Sequence, residues 1–182
     1  MNNSSAADGY GLTGTGVGLP VGFEAAAAAG AFESDLLHVQ DQKSSGTSGG
    51  TATSGDWRTR DLNTVVTNTI TGCSLGSNQA TLVAGTYFCI GYGVCHRTGE
   101  HKTKIYDTTG TADLLIGSSV RTYAADNDAN TSHVSGTFVL SGTSDIELQH
   151  RVSSTLADTG FGIVSSFSVV EVYVDLKIWK VA

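Results

Sequence analysis

The sequence predicts an all-β protein, and three observations predict it. Thr, Val, Ser and Gly are abundant, with 23 Gly and a single Pro among 182 residues. β-Branched residues suit a pleated surface, and Gly and Ser suit its turns. Beyond residue 35, short apolar or alternating runs are separated by turn signals at the spacing of a sandwich. No segment of helical period and useful length occurs there.

Taken in chain order, strands are expected over 36–42, 57–60, 63–70, 79–83, 86–97, 100–108, 113–118, 131–141, 144–152 and 168–180. The punctuation between them includes Ser48-Gly49-Gly50, Gly76-Ser77-Asn78, Ala84-Gly85, Thr98-Gly99, Thr109-Gly110 and Ser141-Gly142. About ten strands without helices leave a sandwich or a barrel, and the length suits one core plus a tail.

Two strands are the most informative. In 87–95, Phe88, Ile90, Tyr92 and Val94 read as the core face. Tyr87, Cys89, Gly91, Gly93 and Cys95 make the other face, mostly small enough for a second sheet or a second subunit to come close. In 172–179, Val172, Val174, Leu176 and Ile178 form one face, and Tyr173, Asp175, Lys177 and Trp179 the other. Tyr and Trp are enriched at protein interfaces. Tyr87, Cys89, Gly91, Gly93, Tyr173 and Trp179 are therefore candidates for a subunit contact, with ordinary packing on the second sheet as the alternative.

Residues 1–35 form a separate Gly- and Ala-rich segment. Glycines space Leu12, Val17, Leu19 and Val21, and Phe23 and Phe32 add two aromatic rings. The run Ala25–Ala29 favours helix but is too short to hold one alone. The segment reads as a mostly irregular anchoring arm, or as a passive linker, ahead of a domain over 36–182.

Hydrophobic residues make up 40% and charged residues 15% of the chain, so part of its surface is expected to be covered by partner subunits. A net charge of −7 with scattered Lys and Arg opposes nucleic-acid binding, which needs a basic stripe. Neither a secretory leader nor an apolar run of membrane-spanning length is expected, so neither is membrane insertion.

The search for chemistry returns little. The three cysteines cannot close a disulfide set, and Cys89 and Cys95 would stand about 20 Å apart along one strand at ~3.3 Å per residue. They read as small buried thiols, with zinc or nucleophile roles as the alternatives. No Gly-x-Ser-x-Gly elbow occurs, and the acids are mostly single and in turns, so no enzyme is expected. Asp126, Asn127, Asp128 and Asn130 place oxygens as a calcium loop would, but without its downstream Gly and Glu; a solvated loop explains them equally. Apart from this calcium alternative, no cofactor is expected. His150 continues the face of Ile146 and Leu148. It is a candidate for a trimer axis, where three imidazoles could gather, or for a hydrogen-bonded core histidine. Trp57 beside Arg58, Arg60 and Asp61 suggests either an aromatic-cation patch for sugar or protein, or a Trp closing one end of a sandwich.

Several motifs follow one another in order: Leu37-His38-Val39-Gln40-Asp41-Gln42-Lys43, then Trp57-Arg58-Thr59-Arg60-Asp61-Leu62-Asn63-Thr64, Ala84-Gly85-Thr86-Tyr87, Glu147-Leu148-Gln149-His150-Arg151, Gly160-Phe161-Gly162, and the ending from Val170 to Lys180. In these, residues 36–182 resemble a C-terminal domain of phage tail-fibre and other virion appendage proteins, which is similar to the trimeric jelly rolls of complement C1q and tumour necrosis factor type. The resemblance implies a homotrimeric jelly-roll β-sandwich whose last strand helps form the trimer. It implies a structural protein of the virion, a fibre- or spike-type appendage. Residues 1–35 lie outside the resemblance and read as the arm that would join this appendage to other virion proteins, with assembly in the host cytoplasm. Loops around 97–101, 121–131 and 153–161, with Asp126, Asn127, Asp128 and Asn130 among them, would then contact a host-surface glycan or protein. The alternative is a capsid decoration (cement) or head-fibre protein that stabilises the shell.

Overall fold

The computed structural model describes residues 34–182 except Ala124 and Asp126, together with the backbone of two short strands nearer the start. Those strands, β1 (Gly11–Thr13) and β2 (Gly22–Glu24), pair antiparallel with Leu12 opposite Phe23, inside a unit of their own over Met1–Phe32. Of the proposed anchoring residues, Val17, Leu19, Val21 and Phe32 lie outside the described residues, and Leu12 and Phe23 are described by backbone alone.

The second unit, Glu33–Ala182, carries the remaining strands. They are β3 (Leu36–Lys43), β4 (Arg58–Thr59), β5 (Thr64–Asn68), β6 (Ser74–Gly76), β7 (Gln79–Leu82), β8 (Gly85–His96), β9 (Gly99–Asp107), β10 (Ala112–Ile116), β11 (Val120–Thr122), β12 (Ala129–Leu140), β13 (Ser144–Val152) and β14 (Glu171–Lys180). Among the described residues there is no helix. One sheet runs β12-β8-β14-β3-β5; the other runs β10-β9-β13-β7-β6, with β11 added beside β9 and β4 beside β13. Every pairing is antiparallel, and the two sheets make a jelly-roll sandwich.

Within this second unit two short strands exceed the sequence expectation, as β1 and β2 do before it. β6 is three residues long, too short to show an alternation, and turns into β7 through Ser77-Asn78, both left-handed at φ 50° and 64°. That is a two-residue hairpin turn of the primed type, which matches the twist of its strands. β11 is equally short and pairs Arg121 with Glu100.

Between the sheets lie Leu37, Val39, Cys89, Val134, Phe138, Val174, Leu176 and Ile178 from the first, against Ala80, Leu82, Ile105, Ile146 and Leu148 from the second. A smaller cluster of Ala52, Cys95, Val152 and Phe161 closes one end.

The strands give the domain two poles. Leu36 pairs with Trp179, and Lys180 N–H donates to the Asp35 carbonyl, so the chain enters and leaves the sandwich at one pole. At the far end of β8, His96 Nε2 lies 3.0 Å from Asn127 Oδ1 and its Nδ1 lies 3.2 Å from Thr159 Oγ1. Ser154 N–H donates to Thr98 O and Arg97 N–H to Asp128 O. The described residues of the loops 97–101, 121–131 and 153–161 therefore converge at this second pole.

Candidate assembly face and buried histidine relay

The side chains of β8 alternate as expected, but in the opposite sense. Tyr87, Cys89, Gly91, Gly93 and Cys95 point into the sandwich, while Phe88, Ile90, Tyr92 and Val94 point away from it. Tyr87, Cys89, Gly91 and Gly93 are thus interior residues of one chain and present no surface to another. The glycines have an internal reason: a Cβ on Gly91 would lie 2.7 Å from Leu176 Cδ1, and one on Gly93 would lie 2.9 Å from His150 Nδ1. Contacts that short force a neighbour to move.

A bulge between Val172 and Val174 changes β14 in the same way. An inserted residue shifts the alternation, so Tyr173 turns inward, 3% exposed, with its hydroxyl donating to Thr47 O at 2.9 Å. Tyr173 too is an interior residue, contrary to expectation. Trp179 does lie on the outward side, its ring 6.0 Å from that of Phe88.

The outward face of the five-stranded sheet follows from register. Phe88 lies beside Trp179, Ile90 beside Lys177 and Tyr92 beside Asp175. Ile90 is 46% exposed and Val139, on β12, 70%. Beside this apolar strip runs a set of polar groups held in fixed positions. Asp175 Oδ2 accepts from Gln40 Nε2 at 2.5 Å and lies 2.8 Å from His38 Nε2, while Lys177 bonds the other oxygen. Gln42 Nε2 donates to Gln40 Oε1 at 2.7 Å. Burial alone would raise the Asp175 carboxyl, but the bonds from Lys177, Gln40 and His38 outweigh it and hold the group below its ordinary value.

Inside the loop pole lies a second arrangement that sequence spacing did not reveal. His150 is fully buried on the inward side of β13, within the sandwich and not at a surface that could form a trimer axis. Arg60, 1% exposed, is likewise interior and takes no part in a surface patch with Trp57. Its Nη1 donates to Val94 O at 2.8 Å and lies 3.0 Å from His150 Nδ1; its Nη2 donates to the carbonyls of Phe161 and Tyr173. The guanidinium also sits 4.1 Å above the Phe161 ring.

Arg60 fixes the protons of its neighbours. A guanidinium only donates, so His150 Nδ1 accepts and its Nε2 carries the hydrogen. That hydrogen points to His101 Nδ1 at 3.0 Å, which leaves the proton of His101 on Nε2, a buried atom without a partner among the described residues. Burial, with Arg60 nearby, pushes His101 down to about 4 and His150 well below its ordinary value, so both rings are neutral.

Cys95 Sγ lies 3.4 Å from His150 Nε2, and donor atoms of Cys95, His101 and His150 fall within 4.8 Å of one another, the makings of a metal site. Arg60 opposes that use. An ion on His150 Nε2 would move the ring proton to Nδ1, directly against the Arg60 N–H at 3.0 Å. Burial raises the Cys95 thiol to about 11, so it is neither a thiolate ligand nor a nucleophile at neutral pH. The geometry is that of a hydrogen-bonded relay. Cys73, Cys89 and Cys95 are all buried free thiols.

The loop residues have local partners. Asn127 Oδ1 meets His96, Asp128 Oδ2 accepts from Tyr123 N–H at 3.4 Å, and Asn130 Oδ1 accepts from Thr131 N–H at 2.8 Å. Asp126 lies outside the described residues. Trp57 sits half-buried with Lys104 Nζ 4.6 Å over its ring, on the outward side of the second sheet.

No family model matches this chain, and no curated protein matches it in sequence. Solved structures do share its fold. The globular domain of zebrafish complement 1qA covers 82% of this chain and 98% of its own, with a TM-score of 0.52 at 12% identity. Murine APRIL, solved at pH 5.0, covers 79% of this chain and 97% of its own, with a TM-score of 0.51 at 11% identity. The PRD1 vertex protein P5 covers 82% and 98%, with a TM-score of 0.48 at 16% identity. The first two place the chain among C1q- and APRIL-like jelly rolls as a fold.

Proposed function

We propose that this chain is a structural and binding protein of a virus particle that assembles as a homotrimer through the outward face of its five-stranded sheet. The observation that carries the assembly is the strip of Phe88, Ile90, Tyr92 and Trp179, set beside the His38–Asp175–Gln40 network. Apolar strips of this kind mark contact surfaces. Polar groups already fixed in position can set the register of a contact. The virion reading rests on the resemblance of residues 36–182 to phage appendage domains. In it, residues 1–35 join the chain to other virion proteins, and the loop pole faces the host as part of a fibre- or spike-type appendage.

Sedimentation of the purified chain tests the assembly, with three copies expected and a monomer overturning it. Antibody labelling of particles tests the location. Label at protruding tips, with saturable adsorption of the chain to host cells, supports the appendage. Label spread over the shell without adsorption favours a decoration protein.

A further inference from the structure

On the outward side of the second sheet, at the loop pole, is an open groove of about 750 Å³. Its walls include Trp57, Glu100, Lys102, Arg121, Arg151 and Ser153. We infer that this groove binds an acidic saccharide, with its carboxylate or sulfate held by Lys102 and Arg151 and its ring lying along Trp57. The inference deepens the host-contact part of the function proposed above and rests on that reading.

Three observations carry it. First, Lys102 and Arg151 are direct cross-strand partners on β9 and β13. Like charges placed opposite each other destabilise a sheet. Neither has an acidic partner among the described residues, although the chain as a whole carries −7. Second, the one acid in the wall is already engaged. Glu100 accepts from Ser153 Oγ at 2.8 Å and pairs with Arg121 Nε at 3.3 Å. The wall therefore holds three cations against one carboxylate, and an anion would relieve the imbalance. Third, the volume lies in the ~300–1,000 Å³ range of small-ligand sites, and an indole beside a charged pair suits a ring that is apolar on one face and polar at its edge. Three cations are too few, and too localised, to follow a nucleic-acid backbone.

The test uses the full chain with N-acetylneuraminic acid, glucuronic acid, glucose and hexaglutamate as probes, followed by ligand-observed NMR and calorimetry. Binding of the acidic sugars, absent for glucose and weakened by salt, is expected. Arg151→Ala and Lys102→Ala should each weaken it by about tenfold or more. Arg151→Ala should at the same time raise the melting temperature, because it removes a like-charge pair; a residue of merely structural value would lower it. Equal binding of glucose, binding of hexaglutamate alone, no binding of any probe, or unchanged affinity in Arg151→Ala overturns the inference. Loss of sugar binding in a chain that still sediments as a trimer and still labels the particle would sink the groove alone. Sugar binding by a chain that proves monomeric would sink the assembly alone.

Discussion

The two sheets of the sandwich turn very different faces outward. The second sheet shows Glu100, Lys102, Tyr106, Gln149 and Arg151, and even its buried outward acid is paired: Glu147 accepts from Thr59, Gln79 and Gln149. The first sheet shows Phe88, Ile90, Tyr92 and Trp179 along the strip where β8 and β14 meet. Water solvates the charged face without help, whereas the apolar face leaves hydrocarbon exposed until something covers it. Two layers of one fold are therefore prepared for different surroundings, and each substitution below bears on that difference.

The largest effect is expected from Ile90→Asp. In a trimer it would bury three carboxylates in an apolar contact, at a desolvation cost of roughly several kcal/mol each that Lys177, already engaged by Asp175, offsets only in part. Sedimentation should show a monomer whose circular dichroism stays β-rich; a persisting trimer would move the assembly face elsewhere.

Next comes Arg60→Met, on the inner side of the same sandwich. It strands three carbonyls and His150 Nδ1 that Arg60 now satisfies. A loss of about 3–5 kcal/mol in urea unfolding is expected, with no change of oligomeric state in the folded protein.

The relay also has a pH signature. His101 is held at about 4 when folded and returns to about 6.5 when unfolded, so the unfolded chain takes up the proton first as pH falls. Stability is complete above pH 6.5 and declines towards pH 4, by about 3 kcal/mol from this ring. His101→Gln should flatten the urea midpoint across that window; an unaltered slope would show that His101 is not held neutral inside.

Gly93→Ala sharpens the contrast between the two sides of β8. Its new Cβ would meet His150 and Arg60, at a cost of about 1–3 kcal/mol by thermal unfolding, with the trimer unaffected. The smallest effect is expected at Gln149→Ala on the charged face, within about 0.5 kcal/mol and with assembly retained. A large loss there would mean that the charged face is also covered.

The strands themselves were legible, because alternation and turn residues are local signals. Which way β8 faces was not. Phe88, Ile90, Tyr92 and Val94 look like core by size, and Cys89, Gly91 and Gly93 look like room for a partner. Both faces avoid water, and alternation alone does not say which one the chain closes on itself. The fillers of the glycine spaces, Leu176, Arg60 and His150, come from segments remote in sequence. Tyr173 was misplaced by a single inserted residue in β14, which leaves no mark in the pattern. The relay escaped for the same reason as the glycines' purpose: Arg60, Cys95, His101 and His150 meet only through sheet packing, and Arg60 reads in sequence as one more surface cation beside Trp57.

The separation of the two poles has a mechanical side. A chain held where it enters at Leu36 and loaded at the groove would be pulled along its strands. β3 is flanked on both sides, by β14 and β5, so that load would act in shear on two ladders of hydrogen bonds together instead of unzipping them one at a time. The sandwich is thus oriented to resist a tug between the end where the chain enters and the loop pole.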